Sequence, residues 1–69
     1  MKISDFNRLQ EKKPDNPSVG DIFLEGERMV GQKSNKVKGQ IITYFRVIRV
    51  IGDGSTIEYT TEYETLEGE

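Results

Sequence analysis

Two runs of apolar residues interleaved with polar ones dominate the last third of the chain. They are residues 40–51 (QIITYFRVIRVI) and 55–66 (STIEYTTEYETL), with Gly52-Asp53-Gly54 between them. β-branched and aromatic runs on both sides of an Asp-Gly pair predict a β-hairpin. A two-residue Asp53-Gly54 turn sets Gly52 opposite Ser55, so partner numbers sum to 107 along the ladder. That register predicts one face carrying Ile42, Tyr44, Arg46, Ile48 and Val50 with Ile57, Tyr59, Thr61, Tyr63 and Thr65. The other face carries Thr43, Phe45, Val47, Arg49 and Ile51 with Thr56, Glu58, Thr60, Glu62 and Glu64. The first is the expected core face, interrupted only at Arg46. The second pairs Arg49 with Glu58, yet Phe45, Val47 and Ile51 give it more apolar surface than a half-solvated sheet carries.

Something must cover those residues. The first expectation is that the sheet coils strongly, as in a small barrel, because eleven residues would span roughly 37 Å if straight. The alternatives are that an N-terminal helix lies over them with Phe6 and Leu9, or that another molecule does.

Upstream, residues 4–12 predict one short helix, with Ser4 as N-cap, Asp5 in the first turn and Lys12-Lys13 at the end. Nine residues do not hold a helix in water, so it must dock or fray. Pro14-Asp15-Asn16-Pro17-Ser18 is an extended connector. Val19-Gly20-Asp21 turns into a strand, Ile22 to Val30, in which Gly26 marks a bulge or bend. Residues 31–39 (GQKSNKVKG) read as a mobile basic loop between strands.

The chain is thus one small domain: helix and connector over 1–18, β meander over 19–66, acidic tail over 67–69. The expected fold is mainly β, a bent antiparallel three-stranded meander or partial SH3-like barrel with a short N-terminal helix. Its expected core is Ile22, Leu24, Ile42, Tyr44, Ile48, Val50, Ile57, Tyr59 and Tyr63.

Composition narrows the chemistry. At 69 residues the chain is near the lower limit for independent folding. It has no Cys for disulfides and no His, so the usual zinc sites cannot be built. Asp15-Asn16 and Asp53 are too sparse for a hard cation, and neither a metal nor a cofactor is expected. The absence of Ala, the strongest helix former, tilts the chain towards β structure. No apolar run is long enough to span a membrane, and the N-terminal residues lack a signal peptide's apolar core, so a cytoplasmic protein is expected.

The net charge of −2 conceals a segregation. Arg28, Lys33, Lys36, Lys38, Arg46 and Arg49 make every charge from 28 to 52 positive, and from Asp53 onward every charge is negative. Cross-strand complementarity within the fold is the plainer reading. A surface with two poles, able to meet a partner, is the sharper one.

Catalysis is not expected. The commonest general base and the thiol nucleophile are missing. Ser34 lies between lysines in a solvated loop, and Glu58, Glu62 and Glu64 share a strand face with no cleft to dry them. Gly52-Asp53-Gly54 is a turn rather than a phosphate cradle, since no helix start follows it.

Two binding readings remain. In the first, the chain contacts a protein partner or a second copy through Phe45, Val47 and Ile51 with Arg49, rimmed by Glu58 and Glu62; an apolar centre with a charged rim is ordinary interface anatomy. Its size and composition suit a regulator or inhibitor encoded by a phage or mobile element, and the acidic third strand could serve as a nucleic-acid mimic or as edge protection. In the second, a small β domain binds single-stranded nucleic acid through Lys33, Lys36, Lys38 and Arg46 beside aromatic residues. The low pI of about 5.1 favours the first. Pro17-Ser18-Val19-Gly20-Asp21-Ile22-Phe23 resembles the approach to the first strand in SH3-like small barrels, a likeness that implies fold alone.

Overall fold

The computed structural model describes residues 1–34 and 36–68; Asn35 of the predicted basic loop and Glu69 of the acidic tail lie outside the described residues. The order of elements is helix α1 (Ile3–Asn7), strand β1 (Ile22–Phe23), helix α2 (Glu27–Val30) with a 3-10 turn (Gly31–Lys33), and strands β2 (Ile41–Ile51) and β3 (Thr56–Thr65). The fold is mainly β, an antiparallel sheet in the order β1-β2-β3. Among the strands described, β1 pairs with β2 and not with β3, so the sheet is open rather than closed into a barrel. Its long axis is 39 Å, and the radius of gyration of 12.4 Å exceeds the roughly 11 Å of a compact chain of this length. The hairpin makes the molecule long.

α1 is shorter than the predicted 4–12. It starts after Lys2 without a side-chain cap, so Ser4 lies inside the helix instead of capping it. It stops early because residues 9–10 leave to run beside β1: Gln10 bridges Phe23, and the Leu24 amide donates to the Gln10 carbonyl at 2.8 Å. Lys33 reaches across to take the Asn7 and Leu9 carbonyls at 3.0 and 2.7 Å, satisfying the end of the helix from outside.

The predicted strand 22–30 is also shortened, to two residues. Once the Leu24 amide has turned to Gln10 it no longer bonds to β2. Gly26, at φ +89°, then takes a conformation that a side chain rarely tolerates and turns the chain into α2.

Where β1 ends, a side chain replaces it. The Gln32 carboxamide accepts from the Thr43 amide at 2.8 Å and donates to the Thr43 carbonyl at 3.0 Å and to the Met29 carbonyl at 2.8 Å. It presents β2 with the donor and acceptor that another strand would supply.

The hairpin register is the main departure from expectation. At the tip the predicted pairing holds: Ile51 faces Thr56, Val50 faces Ile57 and Arg49 faces Glu58. Between Val47 and Arg49 the register shifts, so Ile48 is an extra residue and Val47 faces Tyr59, Phe45 faces Thr61 and Tyr44 faces Glu62. A one-residue bulge moves every side chain of one strand to the other face relative to its partner. Tyr59 and Tyr63 therefore lie on the side of Phe45 and Val47, whereas Glu62 and Glu64 lie on the side of Tyr44 and Arg46. This corrects the predicted pairing of Tyr44 with Tyr63 and of Phe45 with Glu62.

Apolar packing accordingly occurs on both sides of the sheet. On one side Phe6, Leu24, Ile42, Tyr44 and Leu66 are buried together, with Met1, Ile3, Leu9, Ile22, Met29 and Val30 around them. On the other, Phe23 and Val47 are buried, and Phe23, Phe45 and Tyr59 form an aromatic triangle with centroids 5.4, 5.6 and 4.8 Å apart. α1 thus helps to cover Ile42 and Tyr44, while Phe45 packs against Phe23 and Tyr59 from the sheet itself. Of the predicted core, Leu24, Ile42 and Tyr44 are buried and Ile22, Val50 and Ile57 half-buried, but Ile48, Tyr59 and Tyr63 are exposed. The bulge is the reason.

Candidate functional site

The two surfaces of the hairpin differ in chemistry. On the α1 side, cations from β2 meet acids from β3. Arg46 donates through Nε to Glu62 at 2.9 Å and through Nη1 to the Gly20 carbonyl at 3.1 Å, with its guanidinium 5.8 Å from the centre of the Tyr44 ring. The Tyr44 hydroxyl donates to Glu64 at 3.0 Å, and burial pushes its pKa up. Arg49 bonds Glu58 at 3.1 Å, an exposed pair worth at most about 1 kcal/mol. Charge segregation along the chain is spent in part on these cross-strand pairs, as expected of complementary strands.

Glu64 is held below its ordinary range, chiefly by the Met1 ammonium at 3.0 Å and then by the Tyr44 hydroxyl, with desolvation opposing both. A carboxylate whose folded pKa is depressed contributes stability that is present above its unfolded pKa and lost as pH falls through the folded value. Urea midpoints should therefore fall on acidification below the ordinary 4.5 of this group. Glu64→Gln should flatten that fall; an unchanged acid profile in the variant would show that Glu64 is not its source.

On the opposite side, apolar and aromatic groups meet solvent. Tyr63 is 72% exposed, Ile41 70% and Tyr59 45%, with Phe45 half-buried among them. Thr43, Thr61 and Thr65 share this side by strand alternation. The result is a tyrosine-bearing face with no charged side chain between Ile41 and Val47 or between Tyr59 and Thr65.

The residues expected from the sequence to form one contact surface are divided by the bulge. Phe45 and Val47 lie on the aromatic side, and Val47 is buried. Arg49, Glu58 and Glu62 lie on the charged side, where Glu62 holds Arg46, and Ile51, 39% exposed, pairs with Thr56 near the tip. Sequence reasoning placed Tyr59 and Tyr63 in the core and so missed the most exposed rings. The available signal was their own amphipathy: a phenol buries poorly without a partner for its hydroxyl.

Each of the four cations of the nucleic-acid reading has a contact within the chain. Lys33 is 18% exposed, bonded to the Asn7 and Leu9 carbonyls and 3.8 Å from Glu11. Arg46 is committed to Glu62 and Gly20. Lys36 sits over the Phe6 ring at 5.7 Å, and Lys38 lies against Gly68. The predicted mobile loop is also partly helical, which is how Gln32 and Lys33 are brought inward.

An open cavity of about 550 Å³ lies on the connector side, lined by Gln10, Pro14, Asp15, Asn16, Gly20, Asp21 and Ile22. Asp15 and Asp21 are the two carboxylates of its lining, and Asp21 accepts from the Ser18 amide at 2.8 Å. Among the described residues no helix is long and apolar enough to cross a membrane. No family model, curated protein or solved structure matches the chain.

Proposed function

We propose that this chain is a small non-catalytic binding protein that works by protein–protein contact through the tyrosine face of its hairpin. The observation that supports this reading is the exposure of Ile41, Tyr59 and Tyr63 around the half-buried Phe45 on one continuous side of β2 and β3. Tyrosines offer large, rigid contact area with a polar tip, which is why they are enriched where proteins meet.

Phe45 is not the probe of this surface. Its ring packs against the fully buried Phe23, so Phe45→Glu would disturb the fold along with the face. Tyr63→Ser and Ile41→Ser change exposed atoms only. In a pull-down from a bacterial lysate, wild type should retain a defined protein that the Tyr63→Ser, Ile41→Ser double variant loses at unchanged melting temperature. Retention of the same proteins by the variant would overturn the assignment of this face.

A further inference from the structure

The outer edge of β3 adds a direction to that surface. β3 is the last strand of the sheet. Along β2, the backbone groups of Thr43 point away from β3 to Gln32, and those of Val47 to Asp21 and Gly20. Their partners across the ladder, Tyr63 and Tyr59, therefore direct their own N–H and C=O away from β2, as does Thr61 between them. Among the described residues no backbone group outside the sheet bonds to these three.

Along β2 the corresponding stretch is occupied. Gln32, β1 and the Gly20-Asp21 turn take the free side of β2 from Thr43 to Val47. Beyond the outward window, the Met1 ammonium reaches the Thr65 carbonyl at 3.5 Å, and the Glu67 amide donates to the Met1 carbonyl at 2.9 Å. The open stretch runs from Glu58 to Glu64, about 20 Å of strand.

We propose that this edge receives an extended segment of a protein partner, one that alternates basic and apolar residues and adds to the sheet as a fourth strand. The inference rests on the protein-contact reading above. An added strand places alternate side chains on the two faces of the sheet. On one face they meet Tyr59, Thr61 and Tyr63. On the other they meet Glu58, Thr60, Glu62 and Glu64. Glu58 and Glu62 each engage their β2 arginine through Oε1, leaving Oε2 turned to no other described cation. The arginines stand on the inner strand, so an approaching chain meets carboxylates first.

Charge also argues against a second copy as the occupant. An antiparallel pair of β3 strands centred on Thr61 sets Glu58 against Glu64 of the other copy, and like charges directly opposite are destabilising.

The test uses the full chain and three blocked peptides of seven residues: one alternating lysine with valine, one alternating glutamate with valine, and one with the lysines and valines of the first regrouped in blocks. The lysine–valine peptide should shift the amide resonances of Tyr59, Thr61 and Tyr63 and slow their hydrogen exchange, while the other two bind at least about tenfold more weakly. Thr61→Pro removes an outward N–H that the sheet itself does not use. It should keep the melting temperature and lose at least about tenfold in affinity for the lysine–valine peptide. Equal binding of all three peptides, shifts mapping elsewhere, or full affinity in Thr61→Pro would each overturn the edge proposal. So would a dimer in light scattering that Thr61→Pro abolishes, which would make the occupant a second copy. If the lysate partner is lost with Tyr63→Ser and Ile41→Ser but kept by Thr61→Pro, the contact face stands and the edge falls.

Discussion

Phe6→Ala is expected to unfold most of this protein. The ring is fully buried among Leu24, Ile42, Tyr44 and Leu66, so it joins the N-terminal helix, the residue after β1, β2 and the end of β3. Removing a buried Phe costs about 3–5 kcal/mol, and a domain of this length holds only about 3–10 kcal/mol in total. The amide spectrum of the variant should collapse to the narrow dispersion of an unfolded chain at room temperature. A retained native spectrum, with a melting temperature within a few degrees of wild type, would show that α1 is an appendage rather than part of the core. The effect is large because the helix has only five residues: it cannot persist undocked, and Phe6 is its one fully buried side chain in the cluster around Ile42 and Tyr44.

Gln32 supports the second prediction. Its carboxamide bonds the Thr43 amide, carbonyl and hydroxyl as well as the Met29 carbonyl. Gln32→Ala leaves the Thr43 backbone groups half-buried without those partners, at an expected cost of about 1–3 kcal/mol. Gln32→Glu is the sharper probe, since it keeps the size and the acceptor but turns the donor into a carboxylate facing two carbonyls. Both variants should lower the urea midpoint, and the Thr43 amide should lose protection from hydrogen exchange. Full stability in Gln32→Glu would mean that water replaces the carboxamide at no cost and that the edge of β2 needs no strand mimic.

The two predictions bear on what could be read from the residues. The hairpin, its tip pairing and the Arg49–Glu58 pair follow from Asp-Gly between β-branched runs, a local signal with a local cause. The extents of α1 and β1 were not legible, because contacts between segments distant in sequence decide them: Gln10 with Leu24, and Lys33 with Asn7 and Leu9. Gln32 carries no signal of its own in a polar, glycine-bracketed stretch. It becomes structural only where β1 falls short of Thr43.

The candidate surface was half legible for a related reason. The excess of apolar residues at 45, 47 and 51 shows that both sides of the hairpin bear apolar groups. The strand pattern cannot say which ones remain outside, because both registers offer plausible pairs and the choice between them lies in one unpaired residue. The bulge at Ile48 lets Tyr44 and Arg46 reach Glu62 and Glu64 on one side and joins Phe23, Phe45 and Tyr59 on the other. With 107 kept throughout, Phe45 would stand opposite Glu62 and neither set would form.

The sequence by itself determined an open question with a bounded answer: a small β meander, built without Cys, His or Ala, whose last two strands pair about Gly52-Asp53-Gly54 and separate positive from negative charge. Those properties follow from side-chain type and from neighbours in the chain. Tertiary structure alone decided which tyrosines meet solvent, that Lys33 and Arg46 are tied inward, and that Tyr59, Thr61 and Tyr63 on the outer edge of β3 have no backbone partner among the described residues. Each depends on a one-residue shift in pairing or on a contact across many residues, and propensity and periodicity are blind to both.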